Sequence, residues 1–255
     1  MGNPLDIAGK VAVMTGATGG LGQAICKGLS EAGVKMVIGG RNTDKLRELE
    51  EEIKKTGGQV IASEVDVTSE ESFKQFVDTA IKAHSTIDIL INCAGMTIKK
   101  PILDFSVEEW DKVVDTNLKA VFLCSRLVVP HMIKNGGGKI INFCSMGSYV
   151  SITTSAPYCA AKGGLMQLTK VMAMEWAPHN IQVNAVAPGF FNTPLASGIK
   201  NNPHAYEKLM MKSPMKRLGE VSELVGTIQY LASPATDFIT GICIPVDGGF
   251  LADGI

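Results

Sequence analysis

"KVAVMTGATGGLG", residues 10–22, decides how the chain is read. Apolar residues run unbroken from Val11 to Met14 and stop at Thr15-Gly16. A short apolar run bounded by a glycine turn reads as a strand buried on both faces. Leu21, Ile25, Leu29 and Ala32 then recur at helical spacing, and Gly33 ends the pattern. Between strand and helix, Gly16, Gly20 and Gly22 form G-x-x-x-G-x-G. Glycines there let the backbone turn tightly and approach a ligand. The helix amino end that follows offers free N–H groups and a positive dipole end, which suits a pyrophosphate. The spacing differs from the usual G-x-G-x-x-G, so the loop alone is a weak signal. Its place after a first strand points to nucleotide binding, with Thr18 and Leu21 of the same loop as further contacts.

The pattern repeats outward from this unit. "KMVIGG" (35–40), "QVIASEVD" (59–66), "IDILINCAG" (87–95), "KIINFCS" (139–145), "IQVNAVAPG" (181–189) and "ICIPVDGG" (242–249) read as six more strands. Helical patterns fall between them, at 43–58, from Ser69 to about residue 84, over 106–134, over 156–177 and over 221–232. Residues 190–215 read as a less regular segment. This alternation predicts an α/β fold: one doubly wound, Rossmann-like domain over 1–255, with a parallel seven-stranded sheet and helices on both faces. Ligands of such sheets lie beyond the carboxyl ends of the strands.

Composition narrows the function. Of 255 residues, 45% are hydrophobic and 19% charged, which suits a globular protein. A formal net charge of −1 gives no basic footprint for nucleic acid. Six cysteines occur without a CxxC or a Cys/His cluster, so no metal site is expected. They read as buried small hydrophobes of a reducing compartment, hence a cytoplasmic protein. "MGNPLDIAGK" has no apolar run of a signal peptide, Asp6 breaks the myristoylation pattern, and no apolar run is long enough to span a membrane.

The remaining chemistry-bearing residues gather at strand ends. The second strand closes with Gly40-Arg41-Asn42. An acidic residue at this corner would hold a ribose 2′-hydroxyl, whereas an arginine accommodates a 2′-phosphate. Arg41 without a neighbouring carboxylate therefore points to NADP(H). Asp66-Val67 and Asn92-Cys93-Ala94-Gly95 close the third and fourth strands, placing Asp66 near an adenine amino group and Asn92, Ala94 and Gly95 along the ribose. Asn117 interrupts a long helical pattern, where its side chain either opens the helix backbone or is simply exposed. Ser145 ends the fifth strand, and "YCAAK" (158–162) follows on a helix. Tyr158 and Lys162 are four apart, hence on one helix face. A nearby ammonium favours the phenolate, which makes Tyr158 a better proton donor and acceptor for an alcohol or ketone oxygen. A solvated Tyr/Lys pair is the competing reading for that stretch alone. Histidine is absent from the set, so a Ser–His nucleophile has no support.

These motifs, in this order, resemble those of the short-chain dehydrogenase/reductase family from about Gly9 to Phe250. They are Thr15-Gly16-x-x-x-Gly20-x-Gly22, Asn92-Cys93-Ala94-Gly95, Asn117, Ser145, Tyr158-x-x-x-Lys162 and Pro188-Gly189 with Thr193. Cys93 departs from the family, which usually has a second asparagine there. The resemblance implies an NADP(H)-dependent enzyme in which Tyr158 is the acid/base. Lys162 lowers the Tyr158 pKa and bonds the nicotinamide ribose. Ser145 holds the substrate carbonyl, and Asn117 positions a water. Thr193 bonds the carboxamide in a pocket shaped by Pro188-Gly189. It also implies a homotetramer packed through the helices near 106–134 and 156–177. Residues 190–215 become the substrate segment, with Met146 and Phe190 lining the site beside Ser145 and Tyr158, and Met96, Tyr149 and Phe191 as further walls. Within the family the chain looks closest to gluconate 5-dehydrogenase-like enzymes and 3-oxoacyl-carrier-protein reductases. The latter present arginines to an acidic carrier where this chain has Val129-Pro130 and Met174, so a small keto sugar acid is preferred. A bulkier ketone or hydroxysteroid, a non-catalytic NADP(H) sensor and a methyltransferase on a similar sheet are the alternatives.

Overall fold

β1 (Val11–Thr15) is buried along its whole length. The computed structural model, which describes residues 2–194 and 201–252, pairs it in parallel with β2 (Lys35–Gly40) on one side and β4 (Ile89–Asn92) on the other. β3 (Val60–Glu64), β5 (Gly138–Phe143), β6 (Ile181–Pro188) and β7 (Cys243–Val246) complete a parallel seven-stranded sheet of order β3-β2-β1-β4-β5-β6-β7. The chain winds one way from β1 to β3 and then the other way from β4 to β7. The crevice of such a sheet opens where the winding reverses, between β1 and β4.

Strand alternation divides the core into two layers. Ala12 and Met14 face a layer shared with α1 (Gly20–Glu31), α2 (Thr43–Lys55) and α8 (Ser222–Ala232), whereas Val13 faces α3 (Glu70–His84), α5 (Ala120–Lys134) and α6 (Ala156–Trp176). Strands buried on both faces are why the sequence shows continuous apolar runs rather than alternation.

The helix over 43–58 begins at Thr43 and runs to Lys55, with Thr56 as its cap just ahead of Gly57-Gly58. Three expectations are corrected. The span 106–134 is α4 (Val107–Val114), a π-helical turn (Asp115–Lys119) and then α5, which runs through Pro130. The segment 190–215 contains a regular helix, α7 (Pro203–Lys212). Tyr206, Leu209 and Met210 give it a half-buried face at helical spacing. Residues 195–200 of that segment lie outside the described residues. The cysteines are all free, but only Cys26, Cys124 and Cys144 are buried; Cys93, Cys159 and Cys243 are partly exposed.

Candidate active site

The glycine loop is built by close backbone contacts. Gly16 has a φ of +71°, and a Cβ there would lie 2.6 Å from the Ala94 nitrogen; one on Gly22 would lie 2.2 Å from the Gly16 oxygen. The loop is thus wedged against the "NCAG" turn, where the Ala94 N–H also donates to Thr15 Oγ1 at 3.3 Å. α2, α3 and α4 each begin with a side-chain cap, from Asn42, Ser69 and Ser106. α1 begins at Gly19 with no side-chain cap and no acidic residue in its first turn. Its first N–H groups and positive end face the crevice, a fit to a pyrophosphate. Thr193 reaches the same loop: a Cβ on Gly20 would sit 2.9 Å from the Thr193 Cβ.

The adenosine side is equally specific. Thr18 lies against Gly40, its Oγ1 3.4 Å from where a Cβ would be. Arg41 and Asn42 are exposed, Asn42 Oδ1 accepts from the Lys45 N–H to cap α2, and Arg41 has no ion pair among the described residues. Asp66 Oδ1 accepts from the Thr68 hydroxyl at 2.7 Å and the Thr68 N–H at 3.0 Å, which holds its carboxyl below the usual range. Val67 is buried beneath it. Asn92 does not present its side chain to the crevice. It is 2% exposed, and its Nδ2 donates to Asn142 Oδ1 at 2.9 Å and to Ser125 Oγ at 3.3 Å. Asn142 continues the chain to Thr169.

The reacting end gathers Asn117, Ser145, Tyr158 and Lys162. Asn117 is fully buried, which overturns surface exposure as its reading. Its Nδ2 donates to the carbonyls of Met96 (2.7 Å) and Val113 (2.8 Å), and its Oδ1 accepts from the Met96 N–H. A side chain that bonds the carbonyl four residues back accompanies the π turn at this point. A Cβ on Gly95 would meet both Asn117 Oδ1 (2.8 Å) and Lys162 Nζ (3.7 Å), so these three residues converge.

Lys162 is 4% exposed, and its ammonium donates to the Phe143 carbonyl at the end of β5. Desolvation pushes its pKa down. Its Nζ lies 5.8 Å from the Tyr158 ring centroid, over the ring. Burial holds the Tyr158 phenol above its ordinary pKa, and the nearby Ser145 hydroxyl acts against that rise. Lys162 Nζ bonds the Phe143 carbonyl, and among the described residues it makes no hydrogen bond to the phenol oxygen.

Among the wall residues, Phe190 and Phe191 line a cavity of about 120 Å³ with Leu209, Met210, Val246 and Phe250. Phe190 stacks edge-on with Phe250 at 5.9 Å. Pro188-Gly189 leads into it, and a Cβ on Gly189 would lie 2.7 Å from the Asp247 Cα. Met146 is buried beside Ser145, and Met96 contributes its backbone to Asn117. Tyr149 turns outward, its hydroxyl donating to the Cys243 carbonyl at 3.1 Å. The residues sequence reasoning missed are Phe143, whose carbonyl carries no sequence signal, and Ser148. The only trace of Ser148 is a serine three positions after Ser145.

The chain is similar over nearly its whole length to known proteins. A family model described as enoyl-(acyl carrier protein) reductase matches residues 16–251. A 2-dehydro-3-deoxy-D-gluconate 5-dehydrogenase of Formosa agariphila is 38% identical over 97% of this chain and 94% of its own length. The gluconate 5-dehydrogenase of Gluconobacter oxydans is 37% identical over 96% and 95%. The crystal structure of a gluconate 5-dehydrogenase from Burkholderia cenocepacia, in complex with NADP and tartrate, superposes with a TM-score of 0.93 at 36% identity, covering 98% of each chain.

Proposed function

From the premise that the chain belongs to the short-chain dehydrogenase/reductase family, and is an oxidoreductase using a nicotinamide dinucleotide, we propose that it interconverts a keto sugar acid and its secondary alcohol with NADP(H). The observation that carries the reaction is the gathering of Ser145, Tyr158 and Lys162, with the Lys162 ammonium over the Tyr158 ring, at the end of a crevice whose α1 terminus has no side-chain cap. The dinucleotide supplies the two-electron chemistry at the substrate carbon. Gly16, Gly20 and Gly22 with the α1 N–H groups hold its pyrophosphate, and Thr18, Arg41 and Asn42 receive the 2′-phosphate. Asp66, Val67, Ala94 and Gly95 flank the adenosine, with Asn92 acting through its backbone. Lys162 meets the nicotinamide ribose, and Thr193 with Pro188-Gly189 forms the carboxamide side.

In reduction, Ser145 donates to the carbonyl oxygen and Tyr158 gives that oxygen its proton; in oxidation the phenolate takes it back. A phenol raised by burial is protonated at neutral pH, the form that reduction needs. Asn117, joined to Met96 and next to Lys162, supports a water that refills the phenol.

A sugar acid is favoured by the names of the relatives and by the absence of positive charge at Met174, which is 77% exposed, and at Val129-Pro130. An acidic carrier protein finds no charge complement there. Met146, buried next to Ser145, and Phe190 are assigned to the substrate side. A bulkier ketone or hydroxysteroid is the second reading; the cavity at Phe190 and Phe250 is about 120 Å³, and Arg217, Glu223 and Asp247 join its apolar walls. Steady-state kinetics with 5-keto-D-gluconate, acetoacetyl esters and a ketosteroid, each with NADPH, separate these. A kcat/KM for an acyl-carrier substrate far above every small ketone overturns the choice.

The protein acts in the cytoplasm as a homotetramer. Phe122 on α5 and Val171 on α6 are exposed apolar side chains that a second copy would cover. A monomer by light scattering at micromolar concentration refutes that assembly. Among the described residues no helix is long and apolar enough to cross a membrane.

A further inference from the structure

We propose that Ser148 is a positioning residue that locks the Ser145 turn to the helix carrying Tyr158 and Lys162. The proposal rests on the reaction assigned above. Ser145 and Ser148 cap one another across a short 3-10 turn (Met146–Ser148). Ser145 Oγ accepts the Gly147 N–H at 3.1 Å, and Ser148 Oγ accepts the Ser145 N–H at 3.3 Å. Ser148 then uses its one proton in the other direction, donating to the main-chain carbonyl of Lys162 at 2.8 Å. That carbonyl belongs to the lysine whose ammonium returns to Phe143, two residues before Ser145. Lys162 of α6 is therefore tied to the end of β5 through its side chain and to the turn that follows β5 through its backbone.

The chemical consequence concerns the Ser145 proton. A serine hydroxyl has one donor and two acceptor positions. With the Gly147 N–H on one lone pair, Ser145 Oγ is oriented, and its proton is left for the phenol or for a substrate oxygen. The turn supplying that N–H is held by its own backbone bonds, by the packing of buried Met146 and of Gly147 beside Cys159 and Ile152, and by Ser148, whose hydroxyl is its side-chain hydrogen bond to α6. Without the Ser148 hydroxyl, the Ser145 N–H loses its acceptor and the turn loses its tie to α6. The distance between the Ser145 hydroxyl and the Tyr158 phenol then ceases to be fixed, and small misplacements in such constellations cost orders of magnitude in rate.

Three variants and two readouts test this. Ser148→Ala removes both bonds. Ser148→Cys keeps the volume with a weak donor and so preserves packing if alanine does not. Ser148→Thr keeps the hydroxyl. With NADPH and 5-keto-D-gluconate, kcat should fall roughly ten- to hundredfold in Ser148→Ala and Ser148→Cys, while NADPH affinity stays within about twofold and Ser148→Thr recovers most of the rate. The second readout needs no substrate: the titration of Tyr158, read as the phenolate absorbance that Tyr158→Phe lacks. The charged and titratable groups around that phenol are Lys162, Cys144 and Cys159; Ser148 also faces Cys144 and Ser148→Cys adds a thiol, so Ser148→Ala against Ser148→Thr is the deciding pair. Loss of a steady Ser145 bond should move the titration upward in Ser148→Ala and Ser148→Cys, but not in Ser148→Thr. An unmoved titration in a folded Ser148→Ala or Ser148→Cys overturns the proposal whether or not any ketone is turned over. So does Ser148→Thr behaving like Ser148→Ala. Inactivity of the wild-type protein toward every ketone, with the titration shift intact, instead removes the assigned reaction and leaves the positioning role standing.

Discussion

Replacing Gly22 with alanine tests the dinucleotide loop with one methyl group. Gly22 does not have a left-handed φ, so alanine adds no backbone strain there and the effect is one of space alone. The new Cβ would lie 2.2 Å from the Gly16 oxygen and 2.9 Å from the Ala17 oxygen. A carbon approaches a carbonyl oxygen to about 3.3 Å even in weak C–H···O contacts, so the two segments must separate by about 1 Å. Gly16 cannot retreat, because its own Cβ position is already 2.6 Å from the Ala94 nitrogen. The start of α1 must therefore move, carrying its N–H groups with it. A hydrogen bond lengthened by about 1 Å is lost. One charge-assisted bond contributes about 1.5–3 kcal/mol, so NADPH should bind roughly ten- to hundredfold more weakly. Fluorescence titration of NADPH, beside a thermal melt, reads both effects. Gly226→Ala is the control: it lies inside α8 with nothing within 4 Å of a new Cβ, so affinity should hold and stability should rise by about 0.5–1 kcal/mol. A Gly22→Ala protein that binds NADPH as tightly as wild type, at an unchanged Tm, would falsify the packing argument.

The other expectations are simpler. Arg41→Ala should lower the NADPH-to-NADH ratio of kcat/KM several-fold, and an unchanged ratio would move the 2′-phosphate contact elsewhere. Tyr158→Phe should abolish turnover while NADPH still binds; appreciable residual turnover would mean another group supplies the proton. Because burial raises the Tyr158 pKa, alcohol oxidation by the wild type should climb with pH into the alkaline range, and an oxidation rate flat from neutral upward contradicts the assignment. Glu223, paired with Arg217 through two bonds of 2.6 and 2.7 Å, has its pKa lowered to about 2. A depressed carboxylate contributes stability above its unfolded pKa and loses it as pH falls through the folded value. The Tm of wild type should therefore drop between about pH 4.5 and 2, less so in Glu223→Gln; identical acid limbs would assign the acid sensitivity to other groups.

Local chemistry was enough for much of this protein. Apolar runs ended by turn residues mark the strands, and the five inner ones, β2, β1, β4, β5 and β6, are buried because a strand covered on both faces has no polar side to show; the edge strands β3 and β7 are only partly buried. The glycine loop, Ser145 and the Tyr158/Lys162 pair were legible for a related reason: each depends on residue type at a fixed spacing along a strand end or one helix turn. The α7 helix was legible too, in Tyr206, Leu209 and Met210, but its Gly/Pro surroundings hid the period. What the tertiary structure alone decided is where shared groups are spent. Asn92 and Asn142 face each other only because β4 and β5 are paired in register, so the Asn92 side chain goes to the interior rather than to the ribose. Lys162 bonds Phe143 and Ser148 bonds Lys162 across 19 and 14 residues of chain. A backbone carbonyl is the same group at every position, and which one a side chain reaches is a property of how β5 and α6 pack, not of any residue's identity.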